Sequence, residues 1–337
     1  MKKIGFLLAL SIAVVVHAQQ RQSPVGTITT TAQTPVHDPV MIKEGNTFYL
    51  FCTGFGITVF SSSDLQNWKR EKPVFATPPV WAVAAVPGYR GHTWAPDITY
   101  QNGQYYLYYS VSAFGKNSSC IGVAVNKTLN PASPDFKWED KGKLLQSVPG
   151  RDNWNAIDPN LIVDEQKEAW LSFGSFWGGL KLVKLNNDLV SIAEPQQWHT
   201  IAARPRSAIQ ADTASSNGAI EAPFIVQKND YYYLFASWDY CCKGEKSNYK
   251  VVVGRSKNVT GPYIDKTGKP MELNGGSLII EGDGEKWFGA GHNAVYTFDG
   301  NDYIIYHAYD AADKGRSKLR IDHLLWDAEG WPYVKKE

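Results

Sequence analysis

Five times along this chain, a short motif built on Pro, Asp, Glu or His runs into an apolar stretch. The five are His37-Asp38-Pro39 before Val40-Met41-Ile42, Trp94-Ala95-Pro96-Asp97 before Ile98-Thr99-Tyr100, and Ala156-Ile157-Asp158-Pro159 before Leu161-Ile162-Val163, then Ile220-Glu221-Ala222-Pro223 before Phe224-Ile225-Val226, and Gly291-His292-Asn293 before Ala294-Val295-Tyr296. Each apolar stretch ends in a turn and then an aromatic run, such as Tyr105 to Tyr109 or Tyr231 to Phe235. A spacing of roughly 60 to 70 residues makes the chain an array of like units.

The turns are dense in Gly, Asn and Asp, as in Gln101-Asn102-Gly103 and Asp299-Gly300-Asn301, and read as hairpins. A further strand and a polar loop follow each hairpin. A unit of at least three strands with room for a fourth is a propeller blade, and five of them make an all-β, five-bladed β-propeller. Proline restricts the residue before it, so Asp38, Asp158 and their counterparts are expected in extended geometry at the strand mouths. No linker or change of composition divides residues 19–337, which read as a single domain, and no segment beyond the leader has a helical period.

Residues 1–18 read as an export signal: Lys2 and Lys3, an apolar run from Ile4 to Val16, and the small-residue site Val16-His17-Ala18. The run is too short to span a bilayer and no second candidate follows. The mature protein is therefore expected outside the cytoplasm, extracellular or periplasmic, and free of the membrane. Lys plus Arg number 34 against 33 Asp plus Glu, which argues against a nucleic-acid partner. Aromatic residues make up 13% of the chain, with 12 Trp and 18 Tyr. Most fill strand cores, but such a composition also suits sugars, whose C–H faces stack on rings. Of the four cysteines, Cys52 and Cys120 are expected as free core residues, and a bridge between the adjacent Cys241 and Cys242 is disfavoured on geometric grounds.

Innermost strands of a propeller line its channel, so Asp38, Asp158 and Glu221 should converge at one mouth. Convergent carboxyls are what cleavage of a glycosidic bond needs: one protonates the leaving oxygen, another activates water or attacks. Crowding raises the pKa of at least one of them. Taken together and in order, the five motifs, with Gly289-Ala290-Gly291-His292-Asn293 in the last, resemble glycoside hydrolase family 43. The likeness is greatest to its α-L-arabinanases, and it covers the chain from about His37 to Trp331. It implies a five-bladed propeller hydrolysing arabinan polysaccharide and arabino-oligosaccharides with inversion. Asp38 would be the base, Glu221 the acid, and Asp158 the carboxyl that orients and tunes the acid.

Alternatives remain at this level. A β-xylosidase or α-L-arabinofuranosidase of the same family would use the same acids, and a sugar-binding propeller would need none of them. Asp38 and Asp158 have a rival reading as turn formers before proline, and Glu221 as half of a buried structural pair. Asp97 follows its proline and reads as structural. Expected sugar contacts are His37, Trp94, Phe114, Asn155, Ile157, Ser175, Phe176 and Trp177. His92, His199, His307 and His323 read as structural or surface residues. His292 stands where three other motifs carry acids. A core histidine is the plain reading. The resemblance implies instead a cation held near it, and with few protein ligands a water-rich calcium ion suits the position.

Overall fold

A computed structural model describes residues 23–207 and 218–335. The expected export signal lies outside the described residues. Within them the chain forms five antiparallel sheets, the four main strands of each laid down from the channel outward in chain order. Their innermost strands are Val40–Glu44 in blade 1, His92–Gln101 in blade 2, Asn160–Val163 in blade 3, Ile220–Lys228 in blade 4 and Trp287–Phe298 in blade 5. Blades 3 to 5 have four strands. Blade 1 gains the outer strand Ile28–Thr30, and blade 2 gains the two-residue strand Gly54–Phe55 on its inner edge. One short helix, Val80–Ala85, departs from the all-strand expectation.

Aromatic runs such as Tyr105–Val111 and Tyr232–Ala236 are buried on both faces, because each blade is covered by a neighbour on either side. That is why they read as continuous apolar stretches rather than alternating ones. The cores accordingly lie between blades. Tyr108, Ile121 and Val123 of blade 2 meet Leu171, Phe173 and Val183 of blade 3. Leu180 and Leu182 of blade 3 meet Ile225, Leu234 and Val252 of blade 4.

The geometry before proline is not the one expected. Asp38, Ala95, Asp158 and Ala222 each precede a proline, yet their φ angles are 54°, 40°, 58° and 56°, and His292 at the fifth motif has φ 52°. All five lie in the left-handed region, where a non-glycine residue costs about 1–3 kcal/mol. The reason is a clasp repeated around the ring. The N–H of each left-handed residue donates to a side chain of the preceding blade: Asp38 to His307 Nδ1 at 3.2 Å, Ala95 to Thr53 Oγ1 at 2.8 Å, Asp158 to Ser110 Oγ at 2.9 Å, Ala222 to Asp158 Oδ2 at 3.2 Å and His292 to Ser237 Oγ at 2.8 Å. Bulges beside Ala95, Ala222 and His292 complete the kink.

Cys52 and Cys120 are free and buried, as expected. The expectation against a bridge between neighbours is overturned: Cys241 and Cys242 form a disulfide. The loop turns sharply there, with Cys242 at φ 68°, which allows adjacent side chains to meet.

Candidate active site

The kinks deliver Asp38, Asp158 and Glu221 to one electrostatically linked cluster. His292 feels all three carboxyls, and Asp158 feels the other two. Asp38 and Asp158 occupy the left-handed position itself, whereas Glu221 stands one residue earlier, beside Ala222. The offset lets the Ala222 N–H hold Asp158 while the Glu221 side chain points elsewhere.

Asp38 Oδ1 lies 2.7 Å from His37 Nδ1 and 2.9 Å from His292 Nδ1. Its Oδ2 accepts from Thr53 Oγ1 at 2.5 Å. Burial opposes ionisation here, but the imidazoles of His292 and His37 outweigh it and hold the carboxyl well below the usual range. Asp158 is the reverse case. Burial pushes its pKa well up; His292 and the Ala222 N–H oppose, while Glu221 and Asp38 add to the rise. The pKa values of two neighbouring carboxyls are thus driven apart, Asp38 downward and Asp158 upward. Glu221 is fixed by two hydroxyl donors, Ser175 Oγ to Oε2 at 2.7 Å and Tyr249 Oη to Oε1 at 2.8 Å. Burial works against a charged His292, yet Asp38 and the other acids push its pKa up to about 9.

The expected sugar contacts divide. His37 sits in the cluster. Phe114, in a loop, is 73% exposed, which sets aside a core role. Trp94 is partly buried and donates from Nε1 to His92 Nδ1 at 2.9 Å. Phe176 is partly buried against Tyr240, with centroids 5.9 Å apart. Ser175 spends its hydroxyl on Glu221. Asn155, Ile157 and Trp177 are buried. Their side chains are packed away, although Asn155 Oδ1 and Trp177 Nε1 are left without hydrogen-bond partners.

Asp97 is structural as expected: its Oδ2 accepts the N–H of Leu161 in blade 3 at 2.7 Å. Of its two expected readings, structural or surface, His307 takes the structural one, beside the site. It is wholly buried, stacks on His37 at 3.9 Å and accepts the Asp38 N–H. Tyr249, Tyr309 and Thr53 were not anticipated. A pattern was available for His307: like Ser110 and Ser237, it is a polar residue set within the apolar run of a second strand. Nothing in the sequence around Tyr249 pointed to Glu221.

Known proteins bear on this arrangement. The family description "Glycosyl hydrolases family 43" matches residues 30–332. An extracellular exo-α-(1→5)-L-arabinofuranosidase of Cellvibrio japonicus is 59% identical over 305 residues, covering 90% of this chain and 88% of that protein. An extracellular endo-α-(1→5)-L-arabinanase of Bacillus subtilis is 44% identical over 301 residues, covering 88% and 87%. The solved structure of a Cellvibrio cellulosa α-L-arabinanase complexed with arabinohexaose superposes with a TM-score of 0.88 at 59% identity, covering 90% of this chain and 96% of that one. With its five blades and its three clustered carboxyls, the chain belongs to glycosyl hydrolase family 43.

Proposed function

We propose that this protein is an exported glycosidase that hydrolyses α-1,5-linked L-arabinan and arabino-oligosaccharides with inversion, the linkage named for its relatives. The observation that carries the reading is the division of labour among the acids. Asp38 is held ionised by two imidazoles, and Glu221 is held in place by two hydroxyls. Asp38 takes a proton from a water on one face of the sugar. That water attacks the anomeric carbon while Glu221 protonates the departing oxygen, so the configuration inverts. Asp158 keeps Glu221 oriented through the Ala222 N–H and shapes the field around it. Export is supported by the leader and by the printed names of both relatives, each extracellular.

The test is incubation with linear arabinan, debranched arabinan, xylan and nitrophenyl glycosides, with proton NMR of the first-formed product. Release from arabinan with inverted configuration is expected; release from xylan alone, or a retained anomer, overturns the reading. Asp38→Ala and Glu221→Ala should each cost about 10²- to 10⁴-fold in rate with the fold intact. Chromatography of products separates an exo from an endo mode.

The residues around His292 fit a hydrated cation. His292 directs Nδ1 to Asp38, the arrangement that orients metal-bound histidines and leaves Nε2 for the ion. The Asn293 amide and His307 Nε2 are buried without hydrogen-bond partners, as polar atoms beside a water shell would be. A water-rich calcium ion would supply positive charge beneath the acids, in place of a proton on His292. Chelation, or His292→Ala, should then lower activity, and elemental analysis should find the metal in the wild type.

A further inference from the structure

The disulfide Cys241–Cys242 stands at the edge of the site, and a chain of hydrogen bonds leads from it to the base. The backbone N–H of Cys242 donates to Tyr309 Oη at 2.7 Å. Tyr309 Oη is 2.8 Å from His37 Nε2, and His37 Nδ1 is 2.7 Å from Asp38 Oδ1. Three blades contribute: the loop after Tyr231–Trp238 in blade 4, Tyr309 on strand Asn301–Asp310 of blade 5, and His37 at the mouth of blade 1.

One end of the chain has a fixed direction. Cys242 N–H can only donate, so Tyr309 Oη accepts from it, and the Ser247 hydroxyl is a further partner of that oxygen. Tyr309 has one proton of its own, and burial keeps it on the ring. Directed to His37 Nε2, 2.8 Å away, it would make that nitrogen an acceptor. An imidazole that accepts at Nε2 carries its proton on Nδ1, the atom facing Asp38. His37 is also stacked on His307, and Cys242 Sγ lies 3.7 Å from Nε2, so the ring has little freedom to turn. The bridge closes a small ring around the Cys241–Cys242 peptide and so holds the N–H that starts the chain. The loop ends are tied as well: Asp239 pairs with Arg204 at 2.6 Å and Lys250 at 3.2 Å, and Tyr240 N–H reaches Asn248 Oδ1 at 3.1 Å.

We propose that Tyr309 and the Cys241–Cys242 bridge are positioning elements that fix His37 in its Nδ1–H tautomer and thereby hold the Asp38 carboxylate in line for catalysis. Neither touches the reacting atoms. The proposal rests on the assignment of Asp38 as base, and its test has an arm independent of that assignment. Nitrogen-15 NMR of the wild-type ring should show Nδ1 protonated and Nε2 as an acceptor. Tyr309→Phe should disturb that pattern. Both Tyr309→Phe and the double variant Cys241→Ala/Cys242→Ala should lower kcat by on the order of 10-fold or more, with KM changed less than about twofold, because a misplaced base costs rate rather than affinity. Thermal melts establish that each variant folds. A wild-type spectrum with Nε2 protonated overturns the proposal whether or not the variants fold. So does an unchanged kcat in folded Tyr309→Phe and the double variant. A wild type with the expected tautomer but no hydrolysis of arabinan would instead overturn the substrate reading and leave the tautomer assignment standing.

Discussion

Asp97, on the innermost strand of blade 2, and Asp158, just before that of blade 3, are both buried carboxyls, and their surroundings give them different work. Asp158 faces two other acids and a histidine. Asp97 faces a backbone N–H and an asparagine of the next blade, and burial pushes its pKa up to about 7 despite them. Because the folded value lies above the ordinary one, the native state binds this proton more tightly than the unfolded chain does. The contribution to stability is full below about pH 4 and is lost as pH rises towards 7. Stability should therefore fall across that window by a few kcal/mol at most. Asp97→Asn keeps an oxygen for the Leu161 N–H and should flatten the trend. Urea midpoints near about pH 5 and about pH 8 check this; equal pH dependence in both proteins would mean that Asp97 does not titrate there. At this scale the acids were legible, because Asp38 and Asp158 directly precede a proline at a repeat and Glu221 stands two residues before one. Tyr249 was not, since a tyrosine after a polar loop carries no mark of the carboxylate it will meet.

The kinked strand entrance is the element on which the site depends. Proline argues for extended backbone at the preceding residue, and that local preference loses to tertiary bonding at four of the motifs. Each left-handed N–H gains a side-chain acceptor from the blade before it, and such an acceptor is not visible in a motif of three or four residues. Thr53 makes the dependence testable, since its hydroxyl accepts the Ala95 N–H and donates to Asp38 Oδ2. Thr53→Val preserves shape and removes both bonds. It should cost about 1–3 kcal/mol by leaving the Ala95 N–H unpaired, and should lower kcat as Asp38 loses one of its anchors. A urea midpoint and a rate on arabinan report the two effects separately. If stability is unchanged, the clasp is incidental to the kink.

A ring of blades must close, and here closure differs from a shared sheet. Blade 5 is completed by its own last strand, Pro332–Val334, and the N-terminal strand joins blade 1. What joins blade 5 to blade 1 is mainly apolar. Met41, Leu50, Phe60 and Trp68 of blade 1 meet Ile305 and Leu319 of blade 5. Beyond the bonds of His37 and Asp38 to Tyr309, His307 and His292 at the site, the polar links include the Leu319 N–H, which donates to Thr34 O at 3.0 Å, and Lys43, which pairs with Asp299 at 2.6 Å across the surface. Closure also sets the site, because Asp38 belongs to blade 1 while His292, His307 and Tyr309 belong to blade 5. The number of blades was readable from five spaced motifs, but the manner of closure was not, since apolar residues at this seam resemble those at every other. Leu319 is fully buried, so Leu319→Ala should cost about 2–5 kcal/mol through lost contact and a cavity. Asp299 has a side chain 72% exposed, and Asp299→Ala should cost no more than about 1 kcal/mol. Urea unfolding of the two variants decides between an apolar seam and a polar latch. The reverse order of costs would place closure on the Lys43–Asp299 pair. With the expected order, Leu319→Ala should also lose activity at denaturant concentrations where its secondary structure persists, because opening this seam parts the base from the histidines that hold it.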